Sequence, residues 1–133
     1  MTPKQKFMDA FLKYVYGFTN VEFERNFSGC MCVKGTYTFH TSVPARCFLV
    51  GSSTRTETVL LNIWVDKLKN GGHTIKFKTW GTHIPEAVFE TVIGRAKRQV
   101  PGAKVDIYNR THAYSQKADI PTLRLEVSEL PWK

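Results

Sequence analysis

The apolar residues change their period near residue 20, from the spacing of a helix to the alternation of a strand, and this change limits the chain to folds that combine helix with sheet. Before it, apolar residues recur three and four positions apart, as on one face of a helix: Phe7, Met8, Phe11, Leu12 and Val15. From residue 21 they alternate with polar residues, which is the pattern of a strand with one buried face. We therefore expect a helix packed on a sheet.

The first helix has signals at both ends. Thr2 can cap it, Pro3 takes the first helical position, and Gln5 stands three residues after the cap, which is the spacing of a capping box. Gly17 is placed to end the helix, and Phe18 can fold back on its last turn. These residues predict a helix over residues 3–16.

Five alternating runs follow, and they predict an antiparallel meander. The runs cover residues 21–27, 30–41, 46–51, 57–69 and 73–80. Their connections are short and polar, and they include Ser28-Gly29, the stretch Ser-Ser-Thr-Arg-Thr at 52–56, and Asn70-Gly71-Gly72. Strands joined by such short turns pair with their neighbours along the chain.

A second helix is predicted over residues 84–99, followed by strands at 103–109 and 122–129. Pro85 lies in the first turn of this helix, and Pro101-Gly102 follows its end. The order α-β-β-β-β-β-α-β-β predicts a single α+β domain, residues 1–133, with two helices packed against a mainly antiparallel sheet. The predicted core consists of Phe7, Phe11, Val33, Phe39, Leu61, Ile63, Phe77, Phe89, Ile93, Ile107 and Leu125.

The charge is strongly positive and unevenly spread. The chain has 19 basic and 11 acidic residues, a net charge of +8. Residues 1–66 contribute seven basic and five acidic residues, and residues 67–133 contribute twelve and six, so most of the excess lies in the second half. Such a balance favours nucleic acid or another anionic surface as partner. A soluble surface without any anionic partner is the alternative explanation.

Basic and aromatic residues interleave where the fourth and fifth runs meet. With residues 70–72 as a three-residue loop, Val65 faces Phe77 on the core side, and Trp64 faces Lys78 on the other side. Lysines suit phosphates, and indole rings suit bases. The predicted nucleic-acid-binding residues are Trp64, Lys67, Lys69, Lys76, Lys78, Trp80, Arg95, Lys97 and Arg98. Alternatively, a helix covers this face too, or the indole rings shield the lysine stems.

The basic stretch at residues 93–97 allows two interpretations. Ile-Gly-Arg-Ala-Lys resembles the Ile-Gly-x-x-Gly loop of KH-type RNA-binding domains, but Lys97 occupies the place of the second glycine. In the other interpretation, Arg95, Lys97 and Arg98 lie in the last turns of the second helix, where cations are stabilised by the helix dipole. We expect the helix end and do not extend the family resemblance to this chain.

Metal and cofactor chemistry has little support. Three cysteines without a secretory signal predict free, metal-free thiols in the cytoplasm: Cys30, Cys32 and Cys47. A structural zinc site needs four ligands, usually from two close pairs. No apolar run approaches the ~20 residues that span a bilayer, so no membrane contact is expected, and no cofactor is predicted.

A long polar connection at residues 109–121 is a second candidate binding element, since loops of this length often bind partners. It offers Arg110, His112, Tyr114 and Lys117, and a surface loop without function is the alternative.

The predicted function is a small non-enzymatic module that binds RNA, single-stranded DNA or a protein complex that handles them. A virus- or mobile-element-type adaptor or inhibitor of a protein partner is the alternative. A small hydrolase around His40 or His112 is the weakest hypothesis.

Overall fold

The computed structural model describes residues 1–27, 30–42, 52–80, 86–110 and 120–133. Within them, two helices and a six-stranded sheet confirm the predicted α+β class. The elements are α1 (Pro3–Phe11), a π-helical turn (Leu12–Tyr16), β1 (Asn20–Phe27), β2 (Cys30–Ser42), β3 (Ser52–Lys67), β4 (His73–Trp80), α2 (Glu86–Gln99), β5 (Lys104–Arg110) and β6 (Ile120–Val127). No helix in these ranges is long and apolar enough to cross a membrane.

The sheet is antiparallel throughout, with the strand order β1-β2-β3-β4-β6-β5. The first four strands form a meander in which β2 pairs directly with β3, whereas the predicted five-strand meander placed the run at residues 46–51 between these two. The last two enter in inverted order, because α2 carries the chain past β4 to the outer edge and β6 then returns between β4 and β5. β4 and β5 therefore run in the same direction with β6 between them.

The predicted turn at residues 52–56 is wrong. These residues begin β3, and they continue its pairing with β2 out to Ser52 opposite Ser42. Threonine favours strands, and a long paired neighbour satisfies the backbone groups that a turn would leave to solvent. The predicted strand at 46–51 lies outside the described residues, so the described part contains six strands, whereas seven runs were predicted.

The start of the first helix is formed as predicted. The Gln5 backbone N–H donates to Thr2 Oγ1 at 3.1 Å, and the Thr2 backbone N–H donates to Gln5 Oε1 at 3.0 Å. The helix does not remain α-helical to residue 16, because it widens into the π-helical turn at Leu12. Gly17 ends it with a φ of 75°, a left-handed conformation that costs glycine little.

Both helices pack on one face of the sheet. Met8, Phe11 and Leu12 of the first helix and Val92 and Ala96 of α2 belong to one buried cluster with alternate residues of the strands. The Phe11 ring stacks on Phe77 of β4 with centroids 4.8 Å apart. The strand residues of this cluster are Met31, Val33, Val59, Leu61, Ile63, Ile75, Phe77, Leu123, Leu125 and Val127.

Most of the predicted core is buried. Phe11, Val33, Leu61, Ile63, Phe77 and Leu125 are almost fully buried, and Phe7 and Ile107 are partly buried against them. Ile93 is half-buried, and the side chains of Phe39 and Phe89 lie outside the described residues. We call the opposite side of the sheet the outer face: on β3 it carries Leu60, Asn62, Trp64 and Asp66.

Candidate nucleic-acid interface

The β3–β4 hairpin has a longer loop than predicted. Residues 68–72 connect Lys67 to His73, which are paired, and the Leu68 N–H donates to the Gly72 carbonyl at 2.7 Å. Five connecting residues instead of three displace the register by two, so that Ile63 faces Phe77 and not Thr79. Because side chains alternate with period two, this displacement leaves every residue on its predicted face and changes only its partners.

On the outer face, the corrected register changes the surroundings of the candidate lysines. Trp64 is half-buried and lies opposite Lys76, not Lys78. Lys76 Nζ lies 3.6 Å from Asp66 Oδ2, so a carboxylate partly compensates its charge. Lys78 lies opposite Asn62 and is only 6% exposed, which leaves its ammonium little access to a phosphate. Trp80 pairs with Leu60, but its side chain lies outside the described residues.

Other cations of the outer face also lie beside carboxylates. Arg124 on β6 makes a two-pronged contact with Asp106 on β5, with Nε donating to Oδ1 at 3.0 Å. Lys34 on β2 lies 2.8 Å from a carboxylate oxygen of Glu24 on β1. Exposed pairs of this kind stabilise a fold by only about 0–1 kcal/mol. They nevertheless leave this part of the outer face with little uncompensated positive charge.

The helix-end interpretation of the basic stretch is confirmed. α2 runs through to Gln99, and Lys97 and Arg98 lie exposed in its last turn. Arg95 lies earlier and is turned toward the first helix: its Nη1 donates to the Tyr14 carbonyl at 3.4 Å, and its guanidinium lies 5.9 Å from the centre of the Tyr14 ring. Gly102, with φ of 86°, turns the chain into β5.

The hairpin loop and the turn after α2 lie together at one end of the sheet. They border a depression of about 390 Å³ lined by Leu68, Asn70, Gly71, Gly72, Gly102, Lys104, Glu126, Val127 and Ser128. The exposed cations carried by these two segments and their flanks are Lys67, Lys69, Lys97, Arg98 and Lys104, and we call them the basic end. Glu126 is the acidic residue in the lining.

The sequence-based list missed Lys104 and placed two groups of cations on a single patch. Lys104 is the first residue of β5, directly after the turn that follows α2. Its position next to the helix end was the available signal. Lys104 lines the depression beside the hairpin loop, and Lys97 and Arg98 end the helix that leads into the turn before it, whereas Lys76 and Trp64 lie on the outer face.

The cysteines of β2 are free thiols. Cys30 and Cys32 are half-buried on the outer face, and Cys30 lies opposite Trp64. Burial raises the pKa of the Cys30 thiol, and the neighbouring Cys32 raises it further. Within the described residues, no three His, Cys, Asp or Glu side chains come together as metal ligands would. Cys47 lies outside the described residues.

The second candidate element lies mostly outside the described residues. His112, Tyr114 and Lys117 fall in the range 111–119, and Arg110 is described only as the last backbone position of β5. The side chain of His40, the other histidine of the hydrolase hypothesis, is likewise not described.

No family model, no curated protein and no solved structure matches this chain.

Proposed function

We propose that the protein is a non-enzymatic binding module that engages nucleic acid, or a complex that handles it, through the basic end. The observation that carries this proposal is that the hairpin loop, which follows Lys67 and holds Lys69, shares a depression with Lys104, close along the chain to the exposed helix-end cations Lys97 and Arg98. Cations that are distant in the chain but close in the fold make a phosphate-binding surface, which a high net charge alone does not.

The basic end suits an interaction dominated by the phosphate backbone. Each lysine or arginine that contacts a phosphate releases condensed counterions, and for a single strand the slope of log K against log salt is about 0.7 per contact. Five contacts correspond to a slope of about 3.5. Such binding is largely independent of base sequence, because phosphates position a strand without specifying it.

Trp64 offers a base-stacking position close to the basic end. It precedes Lys67 by three residues on β3, about 10 Å along an extended strand, so these two side chains leave opposite faces of the sheet, whereas Lys104 of the basic end shares the outer face with Trp64. A single strand that leaves the basic end along the outer face would meet its half-buried indole ring next to Lys76. Stacking on an aromatic side chain contributes about 1–3 kcal/mol per base. This supports a single-stranded partner over a duplex, whose bases are already stacked.

The test measures oligonucleotide binding by fluorescence anisotropy over a series of salt concentrations. The double variant Lys67→Ala/Lys69→Ala should lower the salt slope by about 1.4, which is the contribution of two contacts. Lys13→Ala/Lys34→Ala is the matched control: it removes the same charge from two lysines paired with Asp9 and Glu24, away from the basic end. We expect the control to leave the slope nearly unchanged.

Trp64→Ala should give a different signature from the charge variants. It should weaken binding at every salt concentration and leave the slope nearly unchanged, because stacking releases no counterions. Equal slopes for the basic-end and control variants would show that net charge alone attracts the oligonucleotide. If the wild-type protein binds neither RNA nor single-stranded DNA at about 10⁻⁴ M and physiological salt, the proposal is wrong.

The outer face supports a second candidate, an adaptor or inhibitor that binds a protein partner. Leu60 is 43% exposed on this face, and Lys34, which lies opposite it on β2, is paired with Glu24. A neutral surface with an exposed apolar residue suits a protein better than a phosphate backbone. A pull-down from lysate with and without nuclease treatment distinguishes the two: capture that survives the nuclease and is lost in Leu60→Asp favours this candidate.

A further inference from the structure

Gly94 lies exposed in the middle of α2, where the described chain gives no reason for a glycine. Glycine is the least favourable helix residue after proline. A β-carbon built at Gly94 would meet no described atom within 4 Å, so no packing contact in that part of the chain excludes a side chain here. Gly35 is a contrasting case in the described chain, because the Phe18 ring lies too close to it to leave room for a β-carbon.

The surface around Gly94 is an open depression of about 420 Å³ on α2. Its lining residues are Glu90, Thr91, Gly94, Arg95 and Arg98. They follow helical spacing, so that Glu90, Gly94 and Arg98 lie one above the other, with Thr91 and Arg95 beside them. The lining thus contains two arginines and one threonine, and Glu90 is its acidic residue.

We propose that this depression binds a phosphate group of a nucleic-acid backbone, and that Gly94 lets the backbone approach the helix closely. The inference rests on the proposed function and extends its site, because Arg98 belongs both to the basic end and to this depression. Arginine suits the role, since its planar donors match phosphate oxygens in a bidentate geometry. The glycine provides room that any β-carbon would occupy.

The position of Arg95 supports a preformed site. Its hydrogen bond to the Tyr14 carbonyl and its place beside the Tyr14 ring hold the guanidinium between the first helix and α2. A side chain already held in this way loses less conformational freedom on binding than a free lysine does. Two arginines against one glutamate also give the depression the charge that a phosphate requires.

The test compares stability and affinity in the same variants. Gly94→Ala should raise the melting temperature by about 3 °C, because alanine favours the helix. The same change should weaken binding of an oligothymidylate of about 20 nucleotides by roughly fivefold or more, since one methyl group separates phosphate from helix. Stability and affinity would thus change in opposite directions, which misfolding cannot produce.

A larger side chain gives a matched comparison. Gly94→Gln should weaken binding more than Gly94→Ala does, whereas Ala10→Gln, at an exposed position of α1, should leave affinity within about twofold of wild type. Glu90→Gln should strengthen binding, because it removes the acidic group of the depression.

Three results would overturn the inference. If the wild-type protein binds the oligonucleotide and both Gly94 variants bind it equally well, the depression is not contacted, and the proposed function stands without it. If Gly94→Ala lowers the melting temperature, the chain itself requires the glycine. If the wild-type protein does not bind the oligonucleotide at all, the proposed function and this inference fail together.

Discussion

Gly35 in the middle of β2 is a position where one methyl group should destabilise the protein measurably. It is buried, and a β-carbon built there would lie 2.5 Å from Cδ2 and 2.6 Å from Cε2 of the Phe18 ring. Carbon atoms in good contact are about 3.5–4.0 Å apart, so the ring would have to move by roughly 1 Å. Phe18 has little freedom to move, because it is 3% exposed, stacks on Tyr16 at 5.4 Å and meets the edge of Tyr37 at 6.3 Å.

Two opposing effects decide whether Gly35→Ala stabilises or destabilises the fold. Alanine is favoured over glycine in a strand interior by about 0.5–1 kcal/mol, which alone would stabilise the fold. Overpacking a buried site costs about 1–3 kcal/mol. The steric effect is the larger because the nearest atoms belong to a ring held on two sides, and we expect a net loss of about 1–2 kcal/mol.

Urea denaturation followed by circular dichroism measures this loss as a midpoint lower by about 0.5–1 M. The cause is tested by repeating the change in a Phe18→Ala background, where the ring is gone and Gly35→Ala should become neutral or stabilising. An unchanged or higher midpoint for Gly35→Ala alone would refute the argument. An equal loss in both backgrounds would show that the Phe18 ring is not the obstacle.

The remaining predictions concern packing and thiol chemistry. Leu61→Ala should lower the free energy of unfolding by about 2–5 kcal/mol. Leu60 lies on the opposite face of the same strand and is 43% exposed, so Leu60→Ala should lower it by less than about 0.5 kcal/mol. Similar losses in both variants would mean that the faces of β3 are misassigned. The raised pKa of Cys30 leaves less thiolate near pH 8 than a free cysteine has, so alkylation by iodoacetamide should be slower and should accelerate as the pH rises toward that pKa. Peptide mass spectrometry measures this alkylation rate, and elemental analysis should find no zinc. Alkylation of Cys30 as fast as in an unfolded peptide, or one zinc ion per chain, would contradict the thiol assignment.

Local signals predicted the elements well where the deciding interactions lie within a few residues. The capping box of Thr2 and Gln5 and the left-handed Gly17 act over one or two turns, and both are present as expected. Alternation assigned the faces of β3 and β4 correctly even though their register was wrong, because a displacement by two residues preserves the face. The helix end at Lys97 and Arg98 was likewise predictable from charge order and the following Pro-Gly.

Long-range pairing decided what those signals could not. Ser52 to Thr56 have the composition of a turn, but pairing with β2 makes them strand. The hairpin loop has five residues, and this sets Trp64 opposite Lys76. The basic end exists because β5 lies at the edge of the sheet and begins beside the hairpin loop, so that Lys104 and the hairpin lysines share one end. Residues more than thirty positions apart meet through the order of strands in a sheet. That order depends on how the whole chain buries its apolar faces, and no short stretch of sequence contains it.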